Sequence, residues 1–310
     1  MKKHWRARIL QWGFSIVVVL ASVYFFAFAF SPVAQKSDYT FDLSAIRQLE
    51  HSGTGSLPTR INGEVIATPT FPHALVAAGA GWGGHPMVMD SVQVVFPDST
   101  LIIDTALDQS MIDAMSKGVP FFPDHYAVMQ KAMTQAKTIV FTHEHPDHVG
   151  GVAKAPDFAA IAGRIVITRE QADSLKDPRL EFPQDRLTGL KPLSYEGVHL
   201  LAPGVVLIKA PGHWPGTQIM YVALDNGQEF LFVGDIVWSM ENFDKVTGRP
   251  WVVSAFFPHE DRTAVAGEIR ALHELAINPP HNLHMVVAHD AAQYQGYVAH
   301  GWIHDGFDLR

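Results

Sequence analysis

One short segment gathers most of the residues in this chain that could do chemistry. It reads Thr142-His143-Glu144-His145-Pro146-Asp147-His148-Val149-Gly150-Gly151. An apolar run at 138–141 precedes it and reads as a strand. An extended continuation of that strand puts His143 and His145 on the same side, where two neutral imidazoles can hold one divalent cation. Pro146 interrupts the ladder, and the turn re-aims Asp147 and His148 toward a neighbouring position. Gly150 and Gly151 permit the tight bend this requires. A carboxylate and an imidazole there suit a second cation of zinc-like or iron-like preference.

Three further segments repeat one grammar, an apolar strand with a ligand-type residue at its C-terminal end. The run 205–209 leads to Pro211-Gly212-His213, the run 230–233 to Gly234-Asp235, and the run 284–288 to His289-Asp290. If these strand ends meet at one edge, His143, His145 and His213 hold a first metal. Asp147, His148 and His289 then hold a second, and Asp235 bridges the pair. Two such cations, ~3.5–4 Å apart, lower the pKa of a shared water to generate hydroxide and polarise a carbonyl or phosphoryl oxygen. Zinc is the first expectation, with iron or manganese as alternatives. Asp147 and Asp235 are the candidate catalytic carboxylates.

The elements that must position these groups follow from periodicity and turn signals. Strands are expected at 65–68, 74–78, 92–96, 101–104, 138–141, 164–167, 205–209, 219–224, 230–233 and 284–288. Helices are expected at 111–115, 126–136, 169–175 and 262–277. Asp225-Asn226-Gly227-Gln228 reads as a hairpin turn. Strands interspersed with helices imply a layered α/β domain.

Composition narrows the function classes. The chain of 310 residues is 47% apolar and 17% charged, enough to bury a large core. A formal net charge of −8 argues against a nucleic-acid partner. With no cysteine, thiolate ligands, disulfides and a cysteine nucleophile are excluded.

The N-terminal region has its own signature. Lys2, Lys3, Arg6 and Arg8 flank an uncharged apolar run at 9–30, which at ~1.5 Å per residue spans roughly the ~30 Å of a hydrocarbon core. It reads as a transmembrane anchor in the lipid bilayer. The alternative is a signal segment cleaved near Ala27-Phe28-Ala29. The basic flank places the rest of the chain outside the cytoplasm, periplasmic in a Gram-negative cell, or secreted after cleavage. The expected organisation is an anchor at 1–30, a stalk with one amphipathic helix starting from Asp42 at 31–59, and a catalytic domain at 60–310.

Over 61–290 the chain resembles the metallo-β-lactamase superfamily. His143-x-His145-x-Asp147-His148 matches its hallmark, and His213, Asp235 and His289 match its later ligands in order. The resemblance implies a four-layer αββα sandwich with a dinuclear site at one edge. Within the superfamily the chain looks most like the N-acyl-homoserine lactonase branch. That likeness rests on Leu101-Ile102-Ile103-Asp104-Thr105, Pro211-Gly212-His213-Trp214-Pro215-Gly216, Glu241-Asn242-Phe243-Asp244 and Ala288-His289-Asp290. It implies a metal-dependent hydrolase that opens a lactone or similar carboxylic ester, with a small-molecule ester or lactone as substrate. Lactonases of this kind carry a tyrosine three residues after the bridging aspartate, where this chain has Trp238. A thioesterase of the hydroxyacylglutathione hydrolase type shares the run from Thr142, and a di-iron oxidoreductase would use the same ligand set. β-Lactamases with a cysteine ligand are excluded by composition.

Other residues divide between two roles. Asp104 either orients a histidine ligand or caps a turn with Thr105. Asp290 either orients His289 or caps the next helix. Glu144 is expected to point away from the site as a solvated carboxylate. Phe121-Phe122-Pro123 and Phe256-Phe257-Pro258 either line an acyl pocket or pack in the core.

Overall fold

The architecture is given by a computed structural model that describes residues 2–31 and 37–309. The first sheet contains β1 (Arg60–Ala67), β2 (Met89–Val95), β3 (Thr100–Ile103), β4 (Thr138–Val140) and β5 (Ile165–Val166). The second contains β6 (Val198–Ala202), β7 (Val205–Lys209), β8 (Gln218–Ala223), β9 (Glu229–Phe232) and β10 (Leu283–Val286). A last short strand, β11 (His304–Asp305), joins the first sheet beside β1. The spatial orders are β11-β1-β2-β3-β4-β5 and β10-β9-β8-β7-β6.

The two sheets stack because their strands are apolar on both faces. Along β7, Val205 and Leu207 join Val94, Leu101, Ile103 and Val140 of the first sheet in one cluster. The alternate residues Val206 and Ile208 face the helix Arg262–Ile277 through Val265, Ile269 and Leu272. On the far side of the first sheet, Ile102 and Ile139 pack on Ala132, Met133, Val149 and Val152 from flanking helices. The period-two alternation of each central strand therefore feeds two apolar layers at once. The result is helix, sheet, sheet, helix.

Several expectations need correction. The run 74–78 is no strand: His73–Val76 forms one helical turn, since a short apolar run carries no period that separates strand from helix. The segment after His145 is not a tight bend but the helix Pro146–Ala153, with proline in its first turn. The helix Leu43–His51 begins at Asp42, whose side chain accepts from Ala45 N, yet it is no part of a free stalk. Its Ile46 is buried in the second sheet's outer cluster, and Arg47 forms a bidentate pair with Glu229 on β9. Part of the expected stalk, 32–36, lies outside the described residues.

Among the described residues one helix is long and apolar enough to cross a membrane, over Gln11–Ala29. Most of its large apolar side chains are exposed, and Phe28 near its end is half-buried.

Glycine at 151 serves close approach rather than a turn. A Cβ there would lie 2.3 Å from Thr105 O and 2.8 Å from Thr105 Cβ, so the helix Pro146–Ala153 could not press against the end of β3. Gly151→Ala is expected to cost about 2 kcal/mol, as overpacking does, and to lower the unfolding midpoint by about 4–8 °C in a domain of this size. Gly163→Ala, which meets nothing within 4 Å, should leave it unchanged in the same thermal scan.

Candidate metal centre

Five strand ends deliver the site. β3 leads to Asp104, β4 to the His143–His148 segment, β7 to His213, β9 to Asp235 and β10 to His289. β3 and β4 run parallel, as do β9 and β10, so their C-terminal ends open at the same edge. Gly234 turns the chain at φ +54°, and a Cβ there would approach Thr142 Cβ to 2.9 Å. That close passage brings Asp235 against the histidine segment.

The seven expected residues meet as two groups that share one carboxylate. His143, His145, His213 and Asp235 form the first, and Asp147, His148, Asp235 and His289 the second. Within each group the candidate ligand atoms lie within 4.8 Å of one another. Asp235 Oδ2 lies 3.8 Å from His143 Nε2 and 3.6 Å from His213 Nε2. Its Oδ1 lies 3.4 Å from His148 Nε2 and 3.1 Å from His289 Nε2.

Neighbouring acceptors fix which ring nitrogen faces inward. His148 Nδ1 sits 2.8 Å from Asp104 Oδ2, His289 Nδ1 2.8 Å from Val88 O, and His213 Nδ1 3.1 Å from Glu260 Oε2. Each acceptor accepts a hydrogen bond from Nδ1–H, which in the neutral ring leaves the Nε2 lone pair directed into the site. His145 instead turns Nδ1 inward, 3.0 Å from both His143 Nε2 and His213 Nε2.

The electrostatics separate the groups. Burial holds His143 and His145 well below the usual imidazole range, and neighbouring imidazoles lower them further. Burial lowers His213 as well. Those three are neutral, the form that coordinates a cation. Burial also opposes charge on His148 and His289, but nearby carboxylates prevail. Asp104, Asp147 and Asp235 hold His148 well above its usual range, and Asp235 and Asp147 raise His289 to about 9. Burial would raise Asp235, yet His289, His148 and His143 keep it well below the carboxylate range. A proton on these imidazoles and a cation between them are alternative partners for the same negative charge.

The donor set passes a direct test of fit to metal. His148 Nε2 and Asp235 Oδ1 are buried without a hydrogen-bond partner, an arrangement that costs free energy unless a further group satisfies both. Imidazole nitrogens with carboxylate oxygens suit zinc-like or iron-like divalent ions.

Asp104 accepts from His148 Nδ1 and also from Thr142 N and Thr142 Oγ1, the last two at 2.7 Å each, so it orients a histidine. Asp290 caps the helix Ala291–Ala299 and accepts from Ser239 Oγ and Met240 N, while His289 is oriented by Val88. Glu144 does point away from the site, but it is fully buried and accepts from Gly216 N at 3.0 Å, bracing the loop after His213. Arg249 and Glu260 carried no local signal. Both are buried and ion-paired beneath His213, and Arg249 with the His213 bond holds Glu260 down to about 2 against its burial. Trp238 donates from Nε1 to Asp235 Oδ2 at 2.7 Å.

A cleft of 430 Å³ opens over the site. His145, Asp147 and Asp235 contribute to its floor, and Met111, Met115, Trp238 and Phe257 to its apolar walls.

The metallo-beta-lactamase superfamily model matches residues 90–281, and the chain belongs to that superfamily. An N-acyl homoserine lactonase from a Bacillus species is 28% identical over 106 residues, 34% of this chain and 40% of the relative. A hydroxyacylglutathione hydrolase from Albidiferax ferrireducens is 34% identical over 112 residues, 36% of this chain and 38% of the relative. The chain thus matches about two fifths of the length of these curated relatives. Among solved structures, a quorum-quenching N-acyl homoserine lactone lactonase superposes with a TM-score of 0.60 at 19% identity, covering 78% of this chain and 97% of that one. A dizinc quorum-quenching lactonase in complex with a product gives 0.53 at 14% identity, covering 76% and 90%. These similarities show the shared fold.

Asp104→Asn replaces an acceptor by an amide donor facing His148 Nδ1, which forces the other tautomer and protonates the inward Nε2. Metal affinity should fall about 10–100-fold with the fold intact, as read by competition with a chelator. Unchanged affinity would remove Asp104 from the site.

Glu268, buried below the His213 loop, accepts from Gly212 N at 2.8 Å. Burial, with Glu260 nearby, pushes its carboxyl up to about 8. Its contribution to stability is full below its unfolded pKa near 4.5 and is lost as pH rises through about 8, because the folded state binds the extra proton. Glu268→Gln should therefore gain in unfolding midpoint relative to the parent between about pH 5 and about pH 9. Parallel pH profiles would show that Glu268 does not hold its proton.

Proposed function

We propose that this protein is a membrane-tethered hydrolase of a lactone or similar carboxylic ester, using two divalent metal ions. Zinc is the first choice of metal on the chemistry of the donors. The observation that carries the reading is the pair of ligand groups sharing Asp235 at the floor of an apolar cleft. His143, His145 and His213 would hold one ion, Asp147, His148 and His289 the other, with Asp235 between them. Bound there, the ions supply Lewis-acid polarisation of a carbonyl oxygen and lower the pKa of water at the site.

The chain's own groups define the rest. The oriented imidazoles keep their lone pairs inward and resist protonation on the His143 side. Asp147 is the more open carboxylate of the set, with 22% of its side chain exposed against 3% for Asp235. It is placed to take up the proton that the attacking water gives up and to return it to the alkoxide that leaves as the ester opens. The walls exclude water and accept an acyl chain. Residues 60–310 carry this chemistry. The helix over Gln11–Ala29 would span the bilayer with the basic N-terminal flank on the cytoplasmic side, leaving the catalytic body outside.

Trp238 favours a second reading, a thioesterase. The indole offers no hydroxyl toward the substrate, and its one donor is committed to Asp235. The similarity to a hydroxyacylglutathione hydrolase supports the same alternative.

The full chain should turn over lactones faster than thioesters, phosphodiesters or β-lactams in a single panel. His148→Ala should reduce bound metal from about two equivalents to about one and abolish that turnover. Faster thioester cleavage would select the second reading, and undiminished activity in His148→Ala would end both.

A further inference from the structure

The apolar helix does not leave the catalytic body cleanly. Its last turns lie against a cluster of exposed aromatic side chains on the body. Val18, Ser22, Phe26 and Phe30 line one groove with Trp251 and Arg262. The Phe28 ring packs on Trp82 at 5.3 Å, and Trp82 Nε1 donates to Tyr24 Oη at 3.0 Å. Two hydrogen bonds to helix-end carbonyls tie the junction: Gly79 N donates to Phe28 O at 3.0 Å, and the Arg262 side chain donates from Nη2 to Phe30 O at 3.2 Å. Whatever depth the end of this helix occupies in a membrane, these groups share it.

The aromatic cluster faces outward. Trp82 is 54% exposed, Trp251 43%, Phe256 68% and Phe257 57%. Large apolar side chains grouped in this way are uncommon on a free surface and mark a contact with a partner or a membrane. Trp251 and Phe256 pack edge to face at 5.3 Å along the helix Trp251–Phe256, and Phe257 follows directly. Tryptophan and phenylalanine in such a setting suit the boundary between headgroups and acyl chains. The Arg262 guanidinium, beside the same groove, suits the lipid phosphates.

This surface runs into the active-site cleft. Phe257 and Pro258 form part of the cleft wall. The Phe257 ring packs on Trp238 at 6.1 Å, and Trp238 donates to Asp235. Two aromatic side chains thus separate the outer apolar face from the carboxylate shared by the two ligand groups. Met111, Met115, Leu107 and Leu180 continue the apolar lining.

We propose that the face bearing Trp82, Trp251, Phe256 and Phe257 lies in the bilayer interface and that the cleft draws its substrate, a long-chain acyl lactone or ester, from the bilayer. This rests on reading Gln11–Ala29 as a membrane span. It goes further by fixing how the body sits on the membrane and which substrates it meets. A long acyl tail partitioned into lipid would pass Phe257 into the cleft without crossing water, whereas a short-chain substrate would arrive from solution.

The lack of native cysteine makes the test clean. Full-length Val17→Cys and Phe256→Cys proteins, each carrying one fluorescent label, are reconstituted in phosphatidylcholine vesicles with dibrominated acyl chains. Quenching of both labels is expected. Quenching at position 17 without quenching at 256 overturns the proposal and leaves the span intact, and quenching at neither overturns the span as well. A second arm uses the double variant Trp251→Ser/Phe256→Ser, with thermal unfolding as the check of its fold. Hydrolysis of a dodecanoyl lactone carried in vesicles should fall at least about tenfold, while hydrolysis of the butanoyl lactone in solution holds. Equal loss on both substrates, or loss on neither, contradicts membrane-side entry.

Discussion

A buried carboxylate surrounded by imidazoles is the constraint on which the rest of the structure turns. Asp235 is almost fully buried and reaches four histidines with its two oxygens. A charge in such a place is tolerated only when its partners are held to geometry and properly satisfied. The surroundings meet that demand from several directions. Asp104, Val88 and Glu260 fix the rings, Trp238 takes one lone pair of Asp235, and Gly234 and Gly151 let the strand ends close up. The sandwich is what brings these groups, separated by long stretches of sequence, to one edge.

The clustering of the candidate ligand residues was legible because their signal is local. Each sits at the end of an apolar run, and the densest of them share six consecutive positions. The strand Val205–Lys209 and the helix Arg262–Ile277 were also readable to the residue, the first from an unbroken apolar run, the second from its period. Asp290 offered a cap for the helix Ala291–Ala299, one of the two roles its position allowed. The strand Val198–Ala202 went unseen because it is half-buried at a sheet edge and lacks the strong apolar run of its neighbour β7.

What stayed hidden depends on contacts between distant segments. Glu144 alternates away from the site as a strand residue should, yet the space it enters is filled by Gly216 and the helix Arg169–Ser174. Nothing in its neighbours along the chain reports that. Arg249 and Glu260 meet His213 across 36 and 47 positions, with no periodicity to announce them. Trp238 was recognisable as a departure from lactonases, but the direction of its indole N–H belongs to the tertiary structure. The fold class and the candidate ligand cluster could thus be read from sequence, whereas the residues that brace it and the aromatic groups beside the apolar helix could not.

Anomalous diffraction tests the central claim most directly, collected from crystals of the full chain at the absorption edge of whichever metal elemental analysis finds. The account predicts two peaks, one among His143, His145 and His213 and one among Asp147, His148 and His289, with Asp235 reaching both. A single peak, or peaks away from Asp235, would contradict it.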